Sequence, residues 1–475
     1  MVFVKEGYVF LIISKNNCIF ATAVTVTAVT KKSYMKFYNR TNELAELQRI
    51  KNLSFNDYSR MTVITGRRRI GKTSLIMKTT ENESSVYLFV SRKTEATLCM
   101  EYTKVISSAL DVFVPNEITS FRNVFQYLME IGAQKSFNLI IDEFQEFFNI
   151  NESIYSDMQN IWDQYRRKTK VNLLLSGSVY SLMNKIFQNS KEPLFGRADN
   201  IIKLSPFDTD TLKEIIHDYN SDYKNDDLLA LYTFTGGIPK YLEFFCDGCE
   251  LRIEKMIEFM VRENSPFTDE GKNLLIEEFG KNYGTYFSIL SAVSGGINTQ
   301  PKIMAALGDK SIGGQIKRLI DDYNVLKRIR PLGAKEGSQT VRYEISDNFL
   351  QFWFNYFERN RSMLEIKNFV GLQNMIKSDY TTYSGLTLER YFRTKLAESG
   401  LYKEIGLWWE PKGEDQNEID IVALLLQKNQ ALAVEVKRNK ERYRATAFAE
   451  KTKRLKQTTL PKYNIETCCL SIEDM

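Results

Sequence analysis

Histidine is nearly missing from this 475-residue chain: His217 is the only one. The six cysteines (Cys18, Cys99, Cys246, Cys249, Cys468, Cys469) form no pairing framework, which fits a reducing cytoplasm where disulfides do not persist. Cys246 and Cys249 make one C-x-x-C, but no second pair stands at zinc-site spacing and one histidine cannot complete the set. Excess charge is small. Against 59 Asp and Glu stand 64 Lys and Arg, a net +5 that does not by itself announce a nucleic-acid binder. No apolar run reaches the roughly 20 residues a membrane helix needs, and no internal repeat or low-complexity tract is present. What remains is ordinary globular composition, 43% hydrophobic and 26% charged, over a length that suits about two to four domains.

Residues 1–34 stand apart. Tyr8–Ile13 and Cys18–Thr30 are apolar but divided by Lys15-Asn16-Asn17, and no small-residue cleavage site precedes Lys31-Lys32. The expectation is an extension from an upstream start, with Met35 as the natural first residue. Intact mass of protein from the native host tests it.

Residues 66–73 read Gly-Arg-Arg-Arg-Ile-Gly-Lys-Thr, a G-x-x-x-x-G-K-[ST] loop between an apolar β-branched strand, Met61–Thr65, and a helix-forming run, Ser74–Lys78. Gly66 and Gly71 let the backbone of Arg67, Arg68, Arg69 and Ile70 turn its amides toward phosphate, and the helix start near Lys72 to Ser74 adds its positive end. Lys72 then reaches the β and γ phosphates of ATP, and Thr73 helps hold Mg²⁺. Leu139–Glu143 is a buried strand ending in two carboxylates: Asp142 for the metal, Glu143 to polarise the attacking water. Val171–Leu175 is another apolar strand, tipped by Ser176-Gly177-Ser178, so Ser176 or Ser178 is either a γ-phosphate sensor or part of a tight turn. Arg197 lies in a loop and is either an arginine finger or a surface cation. Strand candidates at Met61–Thr65, Val86–Val90, Leu139–Ile141, Val171–Leu175 and Ile201–Leu204 alternate with amphipathic helices, which predicts a parallel α/β sheet. From Asp210 to about Arg262 helices dominate.

These segments, with Phe37 to Leu44 (F-Y-N-R-T-N-E-L), Phe195-Gly196-Arg197 and Gly236 to Leu242 (G-G-I-P-K-Y-L), resemble the prokaryotic, archaeal-type AAA-like ATPases related to the STAND class and to origin-recognition ATPases. The resemblance spans about residues 36–262. It implies that Phe37 and Arg40 lie by the adenine, and that Pro239 and Lys240 sit in a helical lid over the nucleotide. Many of the wider class carry Asn as sensor where this chain has Ser.

Tyr283–Ser294, Gln300–Leu307 and Ser311–Tyr323 read as three helices, followed by a hairpin of Val325–Arg330 and Thr340–Ile345. This is a winged helix-turn-helix outline, serving either DNA or protein contact. Phe349–Phe357 is aromatic enough for core or interface. Farther on, Asp420 in one strand faces Glu435 and Lys437 in the next, two apart and so on one face, while Glu389 on a helix (Leu386–Leu396) completes the set. Two carboxylates and a lysine suit Mg²⁺-assisted attack on a phosphodiester, with Asp420 and Glu435 as metal ligands. The pattern resembles the PD-(D/E)xK nuclease fold, which the same ATPases often carry at their end. Across 437–456, nine Lys or Arg stand against Glu441 and Glu450, either a nucleic-acid face or a solvated helix.

The expected organisation is an extension (1–34), a P-loop ATPase core (35–205), a helical lid (206–270), a winged helix (271–345) and a nuclease-like domain (346–475). The expected function is an Mg²⁺-dependent ATPase coupled to a DNA-binding, DNA-cleaving region; the alternative is an ATP-dependent switch or scaffold without nuclease turnover. The expected setting is cytoplasmic, with ATP and DNA as partners and no membrane. A homo-oligomer is required if Arg197 serves a neighbouring subunit.

Overall fold

The structure is a computed structural model, and it describes residues 2–5, 8–15, 18–25, 35–115, 118–280, 283–335, 337, 340–410 and 417–475. β1 (Val2–Lys5), β2 (Tyr8–Lys15) and β3 (Cys18–Thr25) pair antiparallel in chain order. The junction to the expected start at Met35, residues 26–34, lies outside the described residues.

Five strands form the central sheet: β4 (Arg60–Thr65), β5 (Ser85–Phe89), β6 (Phe137–Asp142), β7 (Val171–Ser176) and β8 (Asn200–Lys203). Their order is β5-β6-β7-β4-β8, all parallel. Side-chain alternation explains why both faces need cover. Met61, Val63, Leu139, Ile141, Leu173 and Leu175 pack under helices Glu95–Leu110, Phe121–Ile131 and Ser153–Tyr165, while Ile64, Ile140 and Leu174 face helices Thr41–Asn56 and Lys72–Thr79. The strands are therefore near-continuous apolar runs.

Helices Thr209–Tyr219, Asn225–Thr235, Pro239–Gly248 and Ile253–Met260 follow, as the sequence predicts. Three more (Tyr283–Ser294, Gln300–Ala306, Gly313–Asp321) precede an antiparallel pair, β9 (Leu326–Ile329) and β10 (Arg342–Ile345). The predicted helix at Leu386–Leu396 is the end of one 30-residue helix, Phe369–Glu398. After it come β11 (Tyr402–Trp409), β12 (Glu418–Leu425), β13 (Gln430–Lys437), helix Ala445–Thr458 and β14 (Asn464–Ser471). This second sheet runs β11-β12-β13-β14, with β13 and β14 parallel.

The aromatic run at 349–357 is core. Phe349 packs on Tyr241 at 4.3 Å between ring centroids, Phe352 on Phe234 at 4.9 Å, and Trp353 donates its indole N–H to the Thr268 carbonyl. One apolar core thus runs from the lower face of the ATPase sheet through the four helices into the C-terminal half. No helix of the described residues is long and apolar enough to cross a membrane.

Candidate functional site

β4 ends at Thr65 and the chain turns through the Gly-rich loop into helix Lys72–Thr79. Gly71 has φ +90° and Gly66 φ +149°, where a Cβ would be strained. Lys72 is 7% exposed and donates to the carbonyls of Gly66 (2.9 Å) and Arg67 (3.1 Å). Burial pushes its pKa down to about 8, against the opposing pull of Glu143 and Asp142.

β7 stands between β4 and β6, so the loop and the Asp142 tip are separated by one strand. The Thr73 hydroxyl donates to Asp142 Oδ2 at 2.9 Å. Ser176, at the tip of β7, donates to Asp142 Oδ1 at 2.5 Å, and the Tyr87 hydroxyl donates to Oδ2 at 2.7 Å. Three hydroxyls therefore aim one buried carboxylate. Glu143 has φ +55°, which turns its side chain out of the strand direction; Ser178 Oγ and Gln145 Nε2 each donate to its Oε2 at 2.6 Å. The cleft here holds about 470 Å³ and is lined by Lys72, Thr73, Ser74, Glu143, Ser178 and Pro239, among others. The oxygens of Thr73 and Asp142 are a donor set that suits a hard divalent cation.

Several side chains of the expected set have partners within the protein. Arg40 is buried and donates to the carbonyls of Ser205 (2.7 Å) and Ile70 (3.3 Å), so it braces the loop from behind; neither it nor Phe37, which is 41% exposed, lines the cleft. Ile70 is buried, with its Cγ2 3.0 Å from where a Cβ on Gly66 would stand. The Arg67 and Arg69 side chains pair with Asp347 and Glu270, each at 2.6 Å. Arg68 and Arg69 both line the cleft. Ser176 serves Asp142, which leaves Ser178 as the serine facing the cleft.

Arg197 is the clear correction for action within one subunit. β8 runs parallel to β4 with Asn200 opposite Thr62, so Arg197 precedes the strand's N-terminal edge, whereas the loop leaves the opposite edge. The 6 residues of β4 put about 20 Å between those edges. Arg197 pairs instead with Asp163 at 3.3 Å.

The C-terminal set does converge. β12 and β13 are antiparallel with Ile421 opposite Val434, which places Asp420 across from Glu435. Lys437 Nζ lies 2.9 Å from Glu435 and 3.8 Å from Asp420, and Asp420 accepts the Val436 amide at 2.7 Å. Burial, then the Asp420 charge, lifts the Glu389 pKa to about 8. No group of three or more His, Cys, Asp or Glu among the described residues is arranged to hold a metal ion. The basic stretch is partly committed: Arg438 pairs with Asp226 (2.7 Å), Lys451 with Glu435 (3.3 Å) and Arg454 with Glu410 (3.6 Å).

Residues 37–245 match the family described as an ATPase domain predominantly from Archaea, and residues 353–450 match archaeal and bacterial proteins of unknown function. The uncharacterized protein MJECL04 of Methanocaldococcus jannaschii is 30% identical over 414 residues, covering 84% of this chain and 87% of that protein. The chain belongs to this predominantly archaeal ATPase family. Among solved structures, the Walker-type ATPase PABY2304 of Pyrococcus abyssi is 19% identical, with 67% of this chain and 96% of that one covered at a TM-score of 0.49. The Aeropyrum pernix ORC2 protein is 12% identical, with 70% and 96% covered at 0.44.

For this archaeal-type ATPase, sequence reasoning missed Tyr87, Gln145 and Glu278. Tyr87 is one strand over from Asp142 and carried a legible signal, a polar aromatic in an apolar strand. Glu278 had none: it comes from a helix some hundred residues later, accepts the Tyr180 amide at 3.1 Å, and burial lifts its pKa to about 7.

Proposed function

We propose that this ATPase binds ATP with Mg²⁺ held by Thr73 and Asp142, and passes its nucleotide state to a DNA-acting C-terminal half. One observation carries the coupling. Two arginines of the phosphate-binding loop are ion-paired outside it, Arg67 to Asp347 and Arg69 to Glu270. Asp347 is 7% exposed and caps helix Asn348–Trp353, the first helix after the β9–β10 pair. A loop that closes on phosphate therefore pulls on the C-terminal core. Within the site, Lys72 steadies the β and γ phosphates, and Glu143, aimed by Ser178 and Gln145, orients the attacking water. The helices and hairpin of 283–345 supply a winged-helix outline for duplex contact. Asp420, Glu435 and Lys437, with Glu389 above them, supply a phosphodiesterase centre of the PD-(D/E)xK kind.

A second reading, an ATP-dependent switch that holds a partner without cutting, draws on the same cluster: Lys437 already neutralises both carboxylates by direct contact. ATP turnover with and without DNA, beside a Mg²⁺-dependent cleavage assay, decides between them. Lys72→Ala should abolish turnover, and Lys437→Ala should abolish cleavage alone. A wild-type protein that never cuts under any nucleotide condition leaves the switch; unchanged turnover in Lys72→Ala removes the ATP-site assignment.

A further inference from the structure

A second cleft, of about 650 Å³, opens between β9, helix Phe369–Glu398 and β11. Lys327, Arg328, Arg330, Arg390 and Arg393 line it. Two carboxylates share the lining and both are engaged: Glu344 lies 3.5 Å from Arg390, and Glu398 accepts the Thr209 amide and hydroxyl at 3.1 and 2.6 Å. Arg330 Nε, Arg390 Nε, Arg393 Nη2 and Ser346 Oγ are buried with no hydrogen-bond partner among the described residues. Lys327 and Arg328 are exposed and Arg330, Arg390 and Arg393 partly buried, so with both carboxylates engaged the lining keeps a net positive charge that favours an entering anion.

The basic lining extends in two directions. Arg328 and Arg330 also line a neighbouring cleft of about 1030 Å³ along β9 and β10. Arg393 is one helical turn beyond Glu389 and acts on its charge together with Asp420 and Lys437. Guanidinium groups pair bidentately with phosphate, and a row of them suits successive phosphates better than one isolated anion. A duplex carries its phosphates outside a broad cylinder and cannot enter such a cleft; one strand can.

We propose that this cleft binds a single strand of nucleic acid by its phosphates and lays it beside Asp420, Glu435 and Lys437. The binding stands on the cleft itself; only the direction of the strand rests on the phosphodiesterase reading above.

Fluorescence anisotropy of the full chain with labelled oligothymidylate, oligouridylate and a hairpin duplex tests this. The single strands should bind more tightly than the duplex, and the two strand types tell DNA from RNA. Arg393→Glu should weaken binding at least tenfold. Arg328→Glu, at an exposed position that leaves the fold intact, should do the same while basal ATP turnover is unchanged. The double variant should lose about 1.4 from the slope of log affinity against log salt, for two lost phosphate contacts. Strand binding that falls in both variants, with no cleavage by wild type, supports the site and removes the nuclease reading. Cleavage by wild type with binding unaltered in both variants overturns the site and leaves that reading. Preference for the duplex, or displacement of the strand by pyrophosphate alone at equal phosphate concentration, also overturns it.

Discussion

ATP binding should draw a proton onto Lys72. Lys72 is 7% exposed and burial lowers its pKa from 10.5 to about 8. At a pH of about 8 roughly half the free molecules therefore carry that charge. A triphosphate beside the nitrogen favours the charged form and restores a high pKa. Uptake should be roughly half a proton at pH ~8, about a tenth at ~7 and close to one at ~9.5. The sign follows: the complex binds more protons than the free protein, so affinity falls as pH rises through about 8, by at most tenfold, or about 1.4 kcal/mol, per pH unit. The ligand's own last phosphate ionisation, near pH ~6, is complete before that range. Calorimetric titration of a non-hydrolysable ATP analogue, in two buffers of different ionisation heat, reads the uptake directly. Lys72→Arg keeps its charge to pH above ~12 and should show no uptake even where its affinity is weaker. Equal apparent heats in both buffers for wild type, or an affinity flat between pH ~7 and ~9.5, would refute the reasoning.

Asp347→Asn keeps a helix-capping side chain but strips Arg67 of its charge partner; it should cost about 1–3 kcal/mol in urea unfolding and blunt the ATP response of the C-terminal half. Gly177→Ala puts a Cβ 2.3 Å from Gln145 Oε1 and 2.4 Å from Met183 Sδ, a clash that should cost about 1–3 kcal/mol and lower kcat more than nucleotide affinity, because Gln145 and the adjacent Ser178 hold Glu143. Glu389, with a pKa lifted to about 8, is ionised only above it, so DNA cleavage should rise with pH through about 8, and Glu389→Gln should flatten that rise.

Residues 66–73 and 139–143 were legible as the loop and strand tip that border the candidate cleft. Glycines spaced as at 66 and 71, followed by Lys-Thr between a strand and a helix, point to a phosphate-cradling turn, and an apolar strand ending in Asp-Glu points to carboxylates at a sheet tip. The parallel sheet, the helical stretch after it and the facing of Asp420, Glu435 and Lys437 were equally legible, because period 2 and period 3.6 are local properties. Side-chain destinations were not. Arg40, Arg67 and Arg69 are chemically fit for phosphate, yet distant carbonyls and carboxylates claim them; Arg197 is excluded from its own cleft by the direction of β8 relative to β4. Nor could periodicity show that the helices after the sheet share one core with the C-terminal half, or that β9 and helix Phe369–Glu398 bring their arginines to one cleft. Local pattern decides which way a strand or helix faces; only packing across long sequence separations decides which charge it meets there.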